Sequence, residues 1–469
     1  MFSSFSAPST RRRGAVRLAA GTLVSGLVAA GVLAIAGVAA ADGIPQSEGG
    51  ATATTVGLKT YGAAVVHNDG ADEQVSAGLF EMSVDNGGTL QTYCIDIHTP
   101  TQNDAKYHET PWSGTSLSGN KNAGKIRWIL QNSYPQVNDL AALAAEAGAK
   151  GLTEQAAAAG TQVAIWRYSD GADVEAVDPQ AEKLADFLEK HARNLSEPAA
   201  SLTLDPPAVS GHPGELLGPV TVHTNAENVT VAPPTDATAS GVKVVDKGGK
   251  EITSATDGSR VYFQVPKKAQ AGSAELTVQA STTVPVGRAF ASETRSQTQI
   301  LAGSSESTVS ATATANWAKT GAIPALSAEK DCAKDGVDIT AVNKGDEAFT
   351  FSPLGTEYTI EAGKTQTVTI PLQEDQAYDF TIKGPGGDEK WFKGVLDCET
   401  DSSTGGLTTQ TLSEPSPAMA GDTTAADTNL AETGTSNATP IIAGTAIALV
   451  VLGGAALLLV RDKKAPTQD

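Results

Sequence analysis

The stretch VSAGLFEMSVDNGGTLQTYCIDI, residues 75–97, decides how the amino-terminal part of the chain folds. Its halves, 75–84 and 89–97, are short strand-like runs rich in Val, Leu, Phe, Thr and Ile. Between them, Asn86-Gly87-Gly88 supplies residues that tolerate the positive φ of a tight turn. The pattern predicts a β-hairpin. Further along, apolar residues recur at helical spacing over 123–132, 139–147, 154–168 and 179–193, with Thr153 as the cap of the third run. Residues 52–195 therefore read as an α+β unit.

The hairpin carries Cys94, the first of only three cysteines. The chain starts with Arg11-Arg12-Arg13 and Arg17, continues apolar over 18–38 and reaches Ala39-Ala40-Ala41 before Asp42, the pattern of a secretory signal peptide over 1–41. Outside the cell, Cys332 and Cys398, which bracket one small β unit, are expected to form a disulfide. Closing a loop of that length stabilises by roughly 4 kcal/mol on the chain-entropy model. Cys94 is then left over, and four readings are open. It is an inert small hydrophobe, or it pairs with another molecule. It is a nucleophile served by a histidine, either His98 with Asp96 on the same strand face or His67, His108 or His191 from elsewhere. Or it has a glutamine partner. Same-face strand neighbours stand about 6–7 Å apart, too far for a direct hydrogen bond, which weakens the Asp96/His98 arrangement.

The glutamine comes from Thr161-Gln162-Val163-Ala164-Ile165-Trp166, in the run that follows Thr153. Helical spacing puts Gln162, Ile165 and Trp166 on one face, expected to turn inward. Tyr93-Cys94 on a strand followed by Thr161, Gln162, Ala164 and Trp166 on a helix resembles the thioester domains of Gram-positive surface proteins. The resemblance implies an internal bond from the Cys94 sulfur to the Gln162 side-chain carbonyl, made with loss of ammonia. It implies packing roles for Tyr93 and Trp166 and a local hydrogen bond for Thr161. A thioester has a far better leaving group than an amide, so the bond arms Gln162 for attack by an amine such as a lysine. Its formation needs only a fold that holds the two groups together, since oriented intramolecular reactions reach effective molarities of roughly 10⁵ M or more. Such a centre acts once, so the expectation is capture rather than enzymatic turnover, with no cofactor.

Beyond 198 the chain becomes a succession of short alternating runs separated by Gly, Pro and Asp. They predict a β-sandwich over 199–320 and a smaller, immunoglobulin-like one over 325–400. Residues 401–429 are mostly Ser, Thr, Ala, Gly and Pro and predict a disordered stalk spanning roughly 100 Å at full extension. Leu430-Ala431-Glu432-Thr433-Gly434 precedes an apolar run at 440–460 and then Arg461, Lys463 and Lys464. The run is long enough to cross a bilayer, with the cations holding its end inside. The order resembles the sorting signal of Gram-positive wall proteins, with Ala431 where the usual motif has Pro, as in high-GC actinobacteria. It implies a sortase partner and attachment of Thr433 to peptidoglycan.

The expected fold class is therefore multidomain: an α+β thioester domain over 42–198, two β-sandwich domains, a disordered stalk, and a sorting signal over 430–469 with a transmembrane helix. A formal charge of −20 argues against nucleic-acid and anionic-lipid partners, leaving the membrane a role only through that helix before sorting. No clustered Cys/His metal site or phosphate-cradling glycine loop occurs. The expected function is covalent adhesion to an unknown amine-bearing surface ligand. The alternatives are a non-covalent structural or matrix-binding wall protein with an inert Cys94, and an extracellular cysteine hydrolase or transferase.

Overall fold

The computed structural model describes residues 49–400 apart from 68–71, 235–236 and 386–388. The expected signal peptide, stalk, sorting signal 430–434 and membrane helix 440–460 lie outside the described residues. Among the described residues no helix is long and apolar enough to cross a membrane.

The expected hairpin forms between β2 (Asp72–Val84) and β3 (Thr89–Cys94), with Phe80 opposite Thr92 and Met82 opposite Leu90. All three turn residues have positive φ: Asn86 at 65°, Gly87 at 119° and Gly88 at 108°. β3 ends at Cys94, earlier than the alternation to Ile97 suggested. The cause is Asp96, whose Oδ1 accepts from the backbone N–H groups of His98 and Thr99 and turns the chain out of the strand. Cys94, Asp96 and His98 thus do not share one strand face.

β1 (Thr52–His67) pairs with β2 along most of its length, with β4 (Lys106–Thr110) at its start and with β5 (Val174–Ala176) near its end. Two further strands complete this sheet, and the expected boundary at 198 does not contain them. Strand Ala289–Ser292 pairs with β4, and strand Gln299–Ser304 pairs with both β3 and 289–292. The pairings run β1, β2, β3, 299–304, 289–292, β4 and back to β1, a closed ring that leaves no exposed edge among these six strands. Both late strands fall inside the stretch expected to be wholly sandwich.

Four helices accompany the ring, α1 (Ala123–Gln131), α2 (Leu140–Glu146), α3 (Glu154–Ser169) and α4 (Pro179–His191), with α3 packed directly on β1, β2 and β3 and α4 packed on α3. Thr153 caps α3 by accepting from Ala156 N–H, and Asp178 caps α4 ahead of Pro179 at its first turn. α3 is buried all round from Ala156 to Trp166 rather than along one stripe. Its small residues permit this. A Cβ on Gly160 would stand 2.4 Å from the Ala181 carbonyl oxygen, so only glycine lets α3 lie this close to α4.

The next unit has a four-stranded sheet, with Leu216–Thr224 and Arg260–Gln264 at its centre, facing a five-stranded one built on Gly272–Thr283 and Glu306–Trp317. These last two strands pair along their whole length, and between them the chain leaves to supply 289–304 to the ring. The apolar cluster around Met82, Leu90, Phe290 and Leu301 runs without a break into Leu202, Val220, Leu276 and Val309. Ring and sandwich therefore share one core. At the seam, the guanidinium of Arg288 (side chain 5 % exposed) pairs with the fully buried Glu109 of β4, Nε to Oε1 at 2.9 Å, and with Glu197. Glu109 also accepts from the N–H groups of Ala51 and Ser201.

The last unit packs strands 324–331, 336–343 and 365–371 with two smaller hairpins around one core that includes Ile339, Phe380 and Phe392. A disulfide joins Cys332 to Cys398.

Candidate functional site

Cys94 is the last residue of β3, and Gln162 is near the middle of α3, where the helix crosses behind that strand. Both are 0 % exposed. The Gln162 carboxamide lies along the Cys94 main chain. Cys94 N–H donates to Gln162 Oε1 at 3.0 Å, and Gln162 Nε2 donates to the Cys94 carbonyl at 2.8 Å. Two bonds to one residue fix both the position and the rotation of the amide. The N–H on Oε1 also sits where it would stabilise negative charge building on that oxygen during attack at the carbonyl carbon.

The other residues of the predicted motif surround this pair. The Tyr93 hydroxyl donates to the Tyr134 carbonyl at 2.8 Å, and burial raises its phenol well above the ordinary range. Thr161 is buried, with its hydroxyl donating to the Ala157 carbonyl and meeting the Ser133 hydroxyl, both at 2.7 Å. Ala164 and Trp166 are buried in the same core as Cys94. Trp166 Nε1 has no hydrogen-bond partner among the described residues, so its indole acts here through packing.

Three glutamine and threonine side chains near the sulfur carried no signal in the sequence. Strand pairing places Gln299 directly opposite Cys94, and its Nε2 approaches Sγ at 3.3 Å. Thr92 Oγ1 donates to Gln299 Oε1 at 3.0 Å. Thr101, in the loop after β3, has its hydroxyl 3.8 Å from Sγ and accepts from Gln299 Nε2 at 3.1 Å and Gln297 Nε2 at 2.8 Å. The loop is tied down elsewhere by Ile97 N–H on Asp170 Oδ1 and Gln102 N–H on Ser296 Oγ. A register between residues some two hundred positions apart is invisible to local pattern.

Two acids lie beside this loop. Burial pushes the Asp96 carboxyl up to about 6, against the hydrogen bonds it receives from Thr99 and the His98 N–H. Asp397, next to the disulfide, accepts from Thr298 Oγ1 at 3.0 Å and is pushed up to about 6, by burial first and the nearby Asp96 second. Three candidate histidine bases are engaged elsewhere. His67 Nδ1 meets Asp72, His108 lies between Thr52 and Glu293, and His191 Nδ1 meets the Phe187 carbonyl. Among the described residues no cluster of three or more His, Cys, Asp or Glu is set to hold a metal ion.

The glutamine carboxamide is thus clamped to the main chain of the buried cysteine, which brings the two residues of the predicted pair together. Residues 91–199 match the thioester domain family. Cys94, Gln162 and the motif around them all fall within that match, which supports a thioester-domain surface protein. The match ends before 289–304, although those strands close the ring on which the thioester domain is built. Residues 324–394 match the C-terminal domain of bacterial phospholipase C. Among solved structures, the chain is similar to the Bacillus anthracis TIE protein at 15% identity, covering 75% of this chain and 81% of that one, with a TM-score of 0.27. It is likewise similar to the thioester domain of the Enterococcus faecium TIE86 protein at 15% identity, covering 58% and 97%, with a TM-score of 0.27. Likenesses this distant carry no functional argument. No curated protein matches the chain.

Proposed function

We propose that the chain is a cell-surface adhesin that captures amines covalently through an internal Cys94–Gln162 thioester. The observation that supports this most is the double hydrogen bond between the Gln162 carboxamide and the Cys94 main chain, which fixes the amide on the residue that carries the thiol. In formation, Sγ attacks Gln162 Cδ, the C–S bond forms and the C–N bond breaks. The amide nitrogen leaves as ammonia, carrying the proton the thiol gives up. In capture, an amine adds to Cδ, the C–S bond breaks, and an amide joins Gln162 to the target while Cys94 returns to a thiol. Each molecule reacts once, so the protein is a capturing device and not an enzyme. A lysine on another surface is the simplest target. The sorting sequence fits a role for sortase in joining Thr433 to peptidoglycan, which would leave the thioester domain farthest from the wall.

The test is labelling with a biotinylated primary amine. The wild-type chain should take up one label per molecule, stable to boiling in detergent, and Gln162→Ala and Cys94→Ala should take up none. Labelling that persists in Gln162→Ala, or turnover of an ester or amide substrate through Cys94, would favour the hydrolase or transferase reading. The engagement of His67, His108 and His191 in other contacts argues against that reading.

A further inference from the structure

We propose that Gln299 is a third member of the reacting centre, a hydrogen-bond donor to the Cys94 sulfur that eases its departure during capture. The inference rests on the thioester reading and extends it to a residue outside the matched segment. Gln299 is fully buried in the strand that leaves the sandwich to join the ring, and it faces Cys94 across the ladder. Its two ends are distinguished. Thr92 donates to Oε1, which leaves the Nε2 protons for Sγ at 3.3 Å and for Thr101 Oγ1 at 3.1 Å. An amide donor beside a thiol does little, because neutral sulfur is a weak acceptor. Beside a thiolate it forms a charge-assisted bond, which is the stronger kind. The bond therefore strengthens as charge develops on sulfur, and that is the condition for lowering a barrier instead of merely holding the ground state.

The step balances. As the amine nitrogen adds to Gln162 Cδ, the C–S electron pair passes to Sγ, where the Gln299 donor meets it, and the proton lost by the nitrogen ends on sulfur. The same donor favours the thiolate when the thioester first forms. The centre is thus assembled from three places: Cys94 from β3, Gln162 from α3, and Gln299 from a strand that only the downstream sandwich supplies.

Gln299→Met keeps the side-chain length and removes the donor. In chain 42–433, which contains every described residue, the variant should still lack one ammonia by intact mass. Its reaction with methylamine should be slower by roughly ten- to a hundredfold, the range for a hydrogen bond to a charged group. An unchanged methylamine rate in a variant that does form the thioester overturns the proposal. The second arm does not depend on the thioester. In a Gln162→Ala background, where sulfur stays a thiol, the thiolate is followed by its ultraviolet absorbance against Cys94→Ala as pH is raised. Adding Gln299→Met should move the ionisation midpoint up by about one to two pH units, which a purely structural role for Gln299 would not do. The same midpoint with and without Gln299 also overturns the proposal. A wild-type mass with no ammonia missing defeats the thioester reading itself, and the thiol titration then still decides whether Gln299 acts on the sulfur.

Discussion

Replacing Arg288 by Met tests the seam that holds the Gln299 strand against the rest of the thioester domain. Arg288 immediately precedes strand 289–292, and its guanidinium faces Glu109, whose side chain is fully buried on β4. Methionine occupies similar space without charge and leaves the Glu109 carboxylate in the core with no cation. Removing one partner of a buried pair costs about 3–5 kcal/mol, most of it from the charge left behind. Glu109 keeps the N–H donors of Ala51 and Ser201, so the lower end, about 3 kcal/mol, is expected. At about 2–4 °C per kcal/mol for a unit of this size, melting should fall by roughly 6–12 °C. The assay is thermal and urea unfolding of Arg288→Met, Glu109→Gln and the double variant. The double variant should recover much of the loss, because it strands no charge. A single variant within about 0.5 kcal/mol of wild type, or a double variant less stable than Arg288→Met, would refute this account of the seam.

Three other outcomes are expected. A fragment ending at 198 lacks strands 289–292 and 299–304, leaving β3 and β4 with open edges. It should be insoluble or unfolded by amide exchange, whereas a fragment through 320 should fold and react with methylamine; a folded, reactive 42–198 fragment would contradict the closed ring. Asp397 has a carboxyl pushed up to about 6, so the folded state holds its proton more tightly than the unfolded chain, and stability falls as pH rises from about 4 to 6. Asp397→Asn removes that loss. It should be more stable than wild type by about 1–3 kcal/mol at pH 8 and show little gain at pH 4, measured by urea unfolding at both. Finally, Cys332→Ser with Cys398→Ser should lower the stability of the last unit by about 4 kcal/mol while leaving the thioester mass signature intact; loss of that signature would mean that the disulfide supports the site.

What the sequence disclosed follows from how local each signal is. The β2–β3 hairpin was legible because Asn86-Gly87-Gly88 names its own turn, and the helices because their apolar residues recur at helical spacing, with Thr153 marking the start of α3. The core position of Gln162 was read from helical spacing, although α3 proved buried on every side. Its alanines and Gly160 carry no stripe to read. The early end of β3 was hidden because the alternation through Asp96 and His98 suits a strand, while the Asp96 side chain instead caps its own turn.

The return of 289–304 to the ring was not legible at all. Both segments have the composition of sandwich strands, and their partners lie about two hundred residues upstream, paired through a core that both units share. Gln299 stayed hidden for the same reason. A glutamine in a strand says nothing until the register puts a cysteine opposite it.

The most direct measurement of the central claim is the intact mass of chain 42–433 under non-reducing, denaturing conditions, before and after methylamine, beside Cys94→Ala. The expected result is a wild-type mass short by one ammonia beyond the disulfide correction, a single methylamine added at Gln162, and neither change in the variant. A wild-type chain at full mass that takes up no methylamine would contradict it, and Cys94 would then be an ordinary buried thiol.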